Sequence, residues 1–335
     1  MPTAAPADDR RETAGPDLSA VIPVHNASDH LAELVHSFRG VEDLDVEVVL
    51  VDDGSTDGSE RLIDDLARGD ERIVSVHHGR NLGAGVARNS GFAKVSGRYT
   101  IFFDADDILH ASALGRVIAR LDQTGADVVI TPYRYQRSAV LTADVMNRND
   151  VSIWSEYLTD ADERLLHLAD APRLLEFTNY PWNKVIRTDR YKQRGLRFGS
   201  TVVHNDILGH WHVLLFAGRI LLLNLELCTH VVERGAQNLT NINQRSRFAL
   251  FEALEETYAL LEASPYLRSR YAPSYWSFVL RVTGWAASQL HPPARAEFDE
   301  LLQAHLLRIH IDDFMRMRLA SAPFLADRIV NRVLA

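Results

Sequence analysis

One cysteine, Cys228, is all that the 335 residues carry. No internal disulfide can form, and zinc folds that need several cysteines are excluded. A reducing compartment fits, and a cytoplasmic protein, free or at the inner face of the membrane, is the expectation. Basic residues are in deficit, with 36 Lys and Arg against 45 Asp and Glu, a net charge of −9. Such a chain is a poor general nucleic-acid binder, because neutralising phosphates takes a basic footprint. Long apolar runs are missing too. The longest, Val213 to Cys228, is broken by Gly218, Arg219, Asn224 and Glu226, so it cannot serve as a membrane span. Met1 to Pro16 holds Ala, Pro and charge without an apolar stretch, and reads as a disordered leader rather than a signal peptide.

What is present is globular: 46% hydrophobic and 24% charged residues, in a chain long enough for one large domain or two ordinary ones. Short β-branched runs predict strands over Leu18–Pro23, Val46–Val51, Ile73–His77, Tyr99–Phe103 and Asp127–Thr131. Between them, apolar residues at helical spacing predict helices over His30–Phe38, Asp57–Ala67, Gly83–Val95 and Ser112–Leu121. This alternation predicts an α/β fold, a mostly parallel central sheet flanked by helices. A short helix is expected near Asp162–Leu168, and a helix end followed by a strand over Val213–Leu227. From Ser246 the pattern is helical, with Pro265, Pro273 and the His291-Pro-Pro turn separating helices, and a boundary falls near residue 240. The expected organisation is a leader over 1–16, a catalytic domain over 17–240 and a helical C-terminal region over 241–335.

Ligands on parallel sheets sit beyond the carboxyl ends of the strands. Three such ends are polar: Pro23-Val-His25-Asn26, Asp52-Asp53-Gly-Ser-Thr-Asp57 and Asp104-Ala-Asp106-Asp107. The carboxylates of Asp104 and Asp106 suit a hard divalent cation, Mg²⁺ or Mn²⁺, that keeps positions open for substrate phosphates. The alternative is a solvated acidic turn with Asp107 capping the next helix. Asp57 or Thr56 explains itself as a helix cap and Gly54 as a turn residue, which leaves Asp53 free for a base N–H or a ribose hydroxyl. Asn81-Leu-Gly83-Ala-Gly85-Val-Ala-Arg88-Asn89 opens a helix with two glycines, for ligand approach or for packing; it lacks the dinucleotide fingerprint spacing.

Taken together and in order, Val-Ile-Pro-Val-His-Asn, Val-Asp-Asp-Gly-Ser-Thr-Asp, Asn-Leu-Gly-Ala-Gly-Val-Ala-Arg-Asn-Ser-Gly and Phe-Asp-Ala-Asp-Asp resemble family 2 glycosyltransferases of the GT-A fold. The match is close over about residues 17 to 130 and looser to about 240. It implies a nucleotide-sugar donor, usually a UDP-sugar, a divalent metal and inversion at the anomeric carbon. It places Pro23 and His25 at the base, Asp53 on the uracil ring, Arg88 and Asn89 beside the nucleotide, Asp104 near ribose and metal, and Asp106 as metal ligand. Family members carry a Glu-Asp pair after a Trp-Asn-Lys segment. Here Trp182-Asn183-Lys184 precedes Asn205-Asp206, so the first acid is replaced and Asp206 is the expected general base, with His204 as rival. Arg234, in the loop after the last strand, would pair with the diphosphate or stay a surface residue. The implied acceptor is a glycan, wall polymer or lipid-linked sugar. Rival readings are a nucleotidyltransferase, which would need a cationic loop after the first strand, and a non-catalytic sugar-nucleotide or glycan binder.

Two further patterns have structural readings. His204, Asp206, His210 and His212 invite zinc, but Trp211 among them points to packing. Phe314 to Leu334 mixes apolar residues with Arg316, Arg318, Arg328 and Arg332. Such a stripe can lie peripherally on an anionic membrane, or pack on its own domain or a second subunit, giving a homo-oligomer; packing is the expectation.

Overall fold

Buried β-branched runs build the centre of the molecule. Its structure, a computed structural model, describes residues 15–41, 43–137, 144–159, 161–232 and 244–334. In chain order the strands are β1 (Leu18–Val24), β2 (Val46–Asp53), β3 (Ile73–His78), β4 (Tyr99–Phe102), β5 (Ile108–Leu109), β6 (Val128–Ile130), β7 (Tyr133–Arg137), β8 (Asp144–Val145), β9 (Glu163–Leu166), β10 (Lys184–Arg187), β11 (Ile220–Leu223) and β12 (Cys228–Val232).

Eight of them form one sheet in the order β3-β2-β1-β4-β10-β6-β11-β9. The β3-β2-β1-β4 half is parallel. Every residue of β2 is buried, as expected for a strand covered on both faces. After β3 the chain returns to the far side of β1 to lay down β4. That reversal opens a crevice beyond the carboxyl ends of β1, β2 and β4. β10 enters between β4 and β6, antiparallel to both. A second sheet, β5-β12-β7-β8, stands beside the β4 end of the crevice.

Helices Ser28–Arg39, Ser59–Gly69, Ala84–Phe92 and Ala111–Thr124 connect the strands, close to the expected ranges. Two expectations fail. The segment read as a helix near Asp162–Leu168 holds the edge strand β9, paired antiparallel to β11. The helix Pro265–Ser288 runs through Pro273 instead of stopping there. A proline costs an interior helix one hydrogen bond, and burial on both sides of it (Tyr271, Ala272, Ser274, Tyr275 and Trp276) holds the helix together.

The C-terminal helices share the core with the sheet. Trp211, on the helix Asp206–Phe216, meets Tyr275 edge-on at 5.5 Å and Phe278 at 5.6 Å. Tyr275 stacks on Tyr258 at 5.0 Å and donates its hydroxyl to the Leu254 carbonyl. The expected boundary near residue 240 lies outside the described residues, as do Arg234 and all but the last two positions of the expected leader. In the last stretch, Met317, Ala326 and Ile329 are buried, whereas Leu319 and Phe324 are 77% and 86% exposed, so packing accounts for only part of that stripe. No described helix is long and apolar enough to cross a membrane.

Candidate active site

The loops after β1 and β2 are tied to each other. Asn26, in the left-handed region at φ +54°, accepts from the Thr56 N–H and donates its own N–H to the Ser55 hydroxyl. His25 donates Nδ1–H to the Asp53 carbonyl at 3.0 Å, which leaves its ring exposed beside half-buried Pro23. Gly54 turns the chain at φ +71°, as the sequence predicts.

Asp53 is not free as the sequence suggested. Its side chain is 3% exposed. Its Oδ1 accepts from Leu82 N at 2.9 Å and pairs with His78 Nδ1 at 2.7 Å; its Oδ2 accepts from Gly83 N at 2.7 Å. Three of the roughly four lone-pair positions of a carboxylate are thus filled by the chain itself. The carboxylate clamps β2 to the turn that starts the helix Ala84–Phe92.

That helix carries Arg88 into the crevice. Arg88 Nη2 donates to Asp104 Oδ1 at 2.5 Å and Nη1 to Asn205 Oδ1 at 2.8 Å, while its buried Nε has no partner. Asn89 faces the other way. It accepts from Phe198 N at 2.8 Å and donates to Phe198 O at 3.0 Å, so it holds the loop before Asn205. Gly85 sits against the same loop; a β-carbon there would run into Gly199 O and Asn205 Cβ.

The acidic turn after β4 divides its carboxylates. Asp107 is buried; it pairs with His230 Nδ1 at 2.7 Å and accepts from Val231 N at 3.0 Å, so it joins β12 instead of capping the next helix. His230 carries the raised pKa of a partnered histidine, against the pull of burial. Asp106 is exposed and makes no salt bridge among the described residues. It borders a cavity of about 480 Å³ with Asn26, His30 and Glu33. Desolvation of its carboxyl by the walls of that cavity, and then the Asp104 charge, raise its pKa. Two neighbouring carboxylates, one without a cationic partner, fit a hard divalent ion that keeps positions open for phosphate oxygens. No three described His, Cys, Asp or Glu side chains form a cage able to hold one alone.

Asp206 opens the helix Asp206–Phe216, directly after Asn205. With Arg88, Asn179, Tyr180, His204, His230 and Trp285 it lines a cavity of about 440 Å³. Burial raises its pKa to about 6; Arg88 opposes the rise and Asp104 adds to it. His204, left-handed at φ +64°, is driven down to about 4 by burial and by Arg247. Between the two, Asp206 is the stronger base. His210 and His212 are 2% and 4% exposed in the interior, His212 hydrogen-bonded to the Arg194 carbonyl, as the packing reading expects. Lys184, buried on β10, donates to the Tyr180 carbonyl and to Asn183 Oδ1, and burial lowers its pKa to about 7.

The sequence reading missed His230 and Trp285. His230 lies on a five-residue strand without alternation, and its ring stacks on Trp182 at 5.7 Å. Trp285 lies among many other aromatics in the helix Pro265–Ser288, and nothing in the sequence sets it apart from them.

The sequence matches glycosyl transferase family 2 over residues 19–188. It is 33% identical over 116 residues to the glycosyltransferase GlyG of Streptococcus pneumoniae, covering 35% of this chain and 38% of that protein. To the glycosyltransferase GlyA of the same organism it is 23% identical over 268 residues, covering 77% of this chain and 36% of that protein. The chain thus spans little more than a third of the length of these relatives. Among solved structures, S. aureus TarS 1–349 in complex with UDP-GlcNAc superposes with a TM-score of 0.70 at 18% identity, covering 95% of this chain and 89% of that one. The complex with UDP gives 0.68 at 17% identity over the same shares. The shared fold takes in the C-terminal helices.

Proposed function

The chain belongs to glycosyl transferase family 2, and on that premise we propose that it moves a sugar from a UDP-sugar donor onto a hydroxyl of a glycan or cell-wall polymer, inverting the anomeric carbon. One observation carries this reading. A carboxylate whose pKa is raised to about 6 lies in one cleft with Arg88, which also holds the Asp104 turn at the sheet's switch point.

The base of the nucleotide lies against the exposed His25 ring and Pro23. Asp53 shapes that pocket by fixing the turn at Leu82 and Gly83, with at most one lone pair to spare for the uracil N–H. Asp104 and Asp106 would hold the divalent ion, which when bound neutralises charge on the departing diphosphate. Arg88 holds Asp104 in place, and its buried Nε has no partner. Asp206 removes the proton from the acceptor hydroxyl. The acceptor oxygen bonds to the anomeric carbon, the bond to the diphosphate breaks on the opposite face, and the electron pair leaves with UDP. Arg234 is proposed for the diphosphate as well, on the resemblance alone. TarS, solved with UDP-GlcNAc, supports the donor class.

The loop after β1, Val24-His-Asn-Ala-Ser, carries no Lys or Arg, which weighs against nucleotidyl transfer. Thermal-shift screening of UDP-sugars with and without Mn²⁺, followed by a UDP-release assay, tests the reading. Asp206→Asn should lower kcat by about 10²–10⁴-fold with UDP binding retained. Full activity in that variant, or pyrophosphate rather than UDP as product, would sink the proposal.

A further inference from the structure

A line of side chains runs behind the nucleotide pocket, from Ser90 through His78 to Asp53. His78 is the last residue of β3, and its side chain is 10% exposed. Its Nδ1 lies 2.7 Å from Asp53 Oδ1, and its Nε2 lies 3.0 Å from the Ser90 hydroxyl on the helix Ala84–Phe92. The ring thus spans from the end of β2 to that helix, with both nitrogens occupied. The carbonyl of the same Asp53 holds the His25 ring.

The donor roles follow from the partners. Backbone N–H groups can only donate, and one reaches each carboxylate oxygen, Leu82 N at Oδ1 and Gly83 N at Oδ2. Both oxygens therefore accept. His78 Nδ1–H is the third donor and fills Oδ1, and the Ser90 hydroxyl can donate to Nε2 or accept from it. What is left is one lone pair on Oδ2. Such a position takes a ring N–H and repels a ring lone pair. Uracil carries an N–H at N3, and cytosine carries a lone pair there. A site built to bond one of them leaves its own polar group unpaired against the other. The discrimination is only as sharp as the carboxylate is still, and its terminal torsion is intrinsically broad. Leu82 and Gly83 are neighbours in one turn, so His78 is the donor that grips the group from a second element.

We propose that His78, braced by Ser90, is the positioning residue that fixes the Asp53 carboxylate and thereby makes the nucleotide site choose uracil over cytosine. His78 acts through Asp53 and touches neither base nor sugar. The inference rests on the reading of Asp53 at the uracil ring, and it adds the residue that sets the selectivity of that contact.

Calorimetric titration of the full chain with UDP and with CDP tests it. The unaltered chain should bind UDP at least about tenfold tighter, the ratio that about 1.4 kcal/mol gives. His78→Asn puts an amide N–H where Nδ1 stands and should keep most of that ratio. His78→Gln carries its amide out to the Nε2 position, beside Ser90, and should bring the two affinities close to equal. Ser90→Ala leaves the ring present but unbraced and should lower the ratio by less, which gives an answer even if His78→Gln fails to fold. A merely structural part for His78 would weaken UDP and CDP together and leave the ratio where it was. A ratio that survives His78→Gln, one that His78→Asn and His78→Gln lower equally, or one that Ser90→Ala leaves untouched would overturn the proposal while the uracil contact stood. No preference for UDP in the unaltered chain would refute Asp53 as the uracil contact itself, and the proposal would fall with it.

Discussion

At Asp206, the proposed base, environment rather than motif decides which group is the stronger proton acceptor. His204 and Asp206 are two residues apart, and in water the histidine is the stronger base. Burial reverses them, lifting the carboxyl to about 6 and pressing the imidazole to about 4. The base must be ionised to work, so kcat/KM should fall as pH drops through about 6 and stay level above it, which a pH–rate profile checks. The raised pKa also means that the folded state disfavours the Asp206 anion. Stability is therefore lost above the unfolded value of 3.8 as the group ionises. Asp206→Asn should accordingly raise the unfolding free energy by about 1–3 kcal/mol in chemical denaturation, even as it removes activity. The sequence made Asp206, Arg88 and the Asp104-Ala-Asp106 turn legible because short motifs carry them. It did not reveal that Asp53, expected at the uracil ring, also gives lone pairs to Leu82, Gly83 and His78. It was silent at His230 and Trp285, whose meaning comes only from neighbours far along the chain.

Elements are placed by small contacts at their ends. Asp57 accepts from Ser59 N at 2.9 Å and from Ser28 N at 3.0 Å, so one carboxylate anchors the first turns of two helices. Burial would raise its pKa, but hydrogen bonds led by that from Ser59 hold it well below the usual carboxylate range. Asp57→Ala should cost about 0.5–2 kcal/mol, as loss of a helix cap does, in urea denaturation near neutral pH. Gly85→Ala should do more to catalysis than to folding. Its methyl group pushes the Gly199–Asn205 loop, and with it Asp206, away from Arg88. A destabilisation of about 1–3 kcal/mol should come with a fall in kcat larger than the change in UDP affinity. Strands β1 to β4 were legible because each is a short run rich in apolar, largely β-branched or aromatic residues. β10 was not, since Lys184-Val-Ile-Arg187 is four residues long and sits among loops. β9 was misread because Glu163-Arg-Leu-Leu166 has no period and lies at an edge, where only one neighbour fixes it.

For the whole molecule, the α/β architecture and the helical character of the C-terminal region followed from the strand and helix patterns, whereas the packing of the two on one another did not. Trp211, Tyr258, Tyr275 and Trp276 join that region to the sheet in one contiguous core, which pattern reading could not see because each helix shows only its own apolar face. Scanning calorimetry should therefore show a single unfolding transition. UDP at 100 times its Kd should stabilise that whole transition by about 2.7 kcal/mol; two transitions, only one of them shifted by UDP, would contradict the shared core.

The lining of the cleft is drawn from distant parts of the chain, Ala84 and Arg88 from one helix and Arg281 and Trp285 from another. Under the proposed transfer, selection could rewrite the late segment, and so exchange one recipient for another, while the early segment went on handling the same activated sugar. A lineage built this way diversifies its products without reinventing its chemistry.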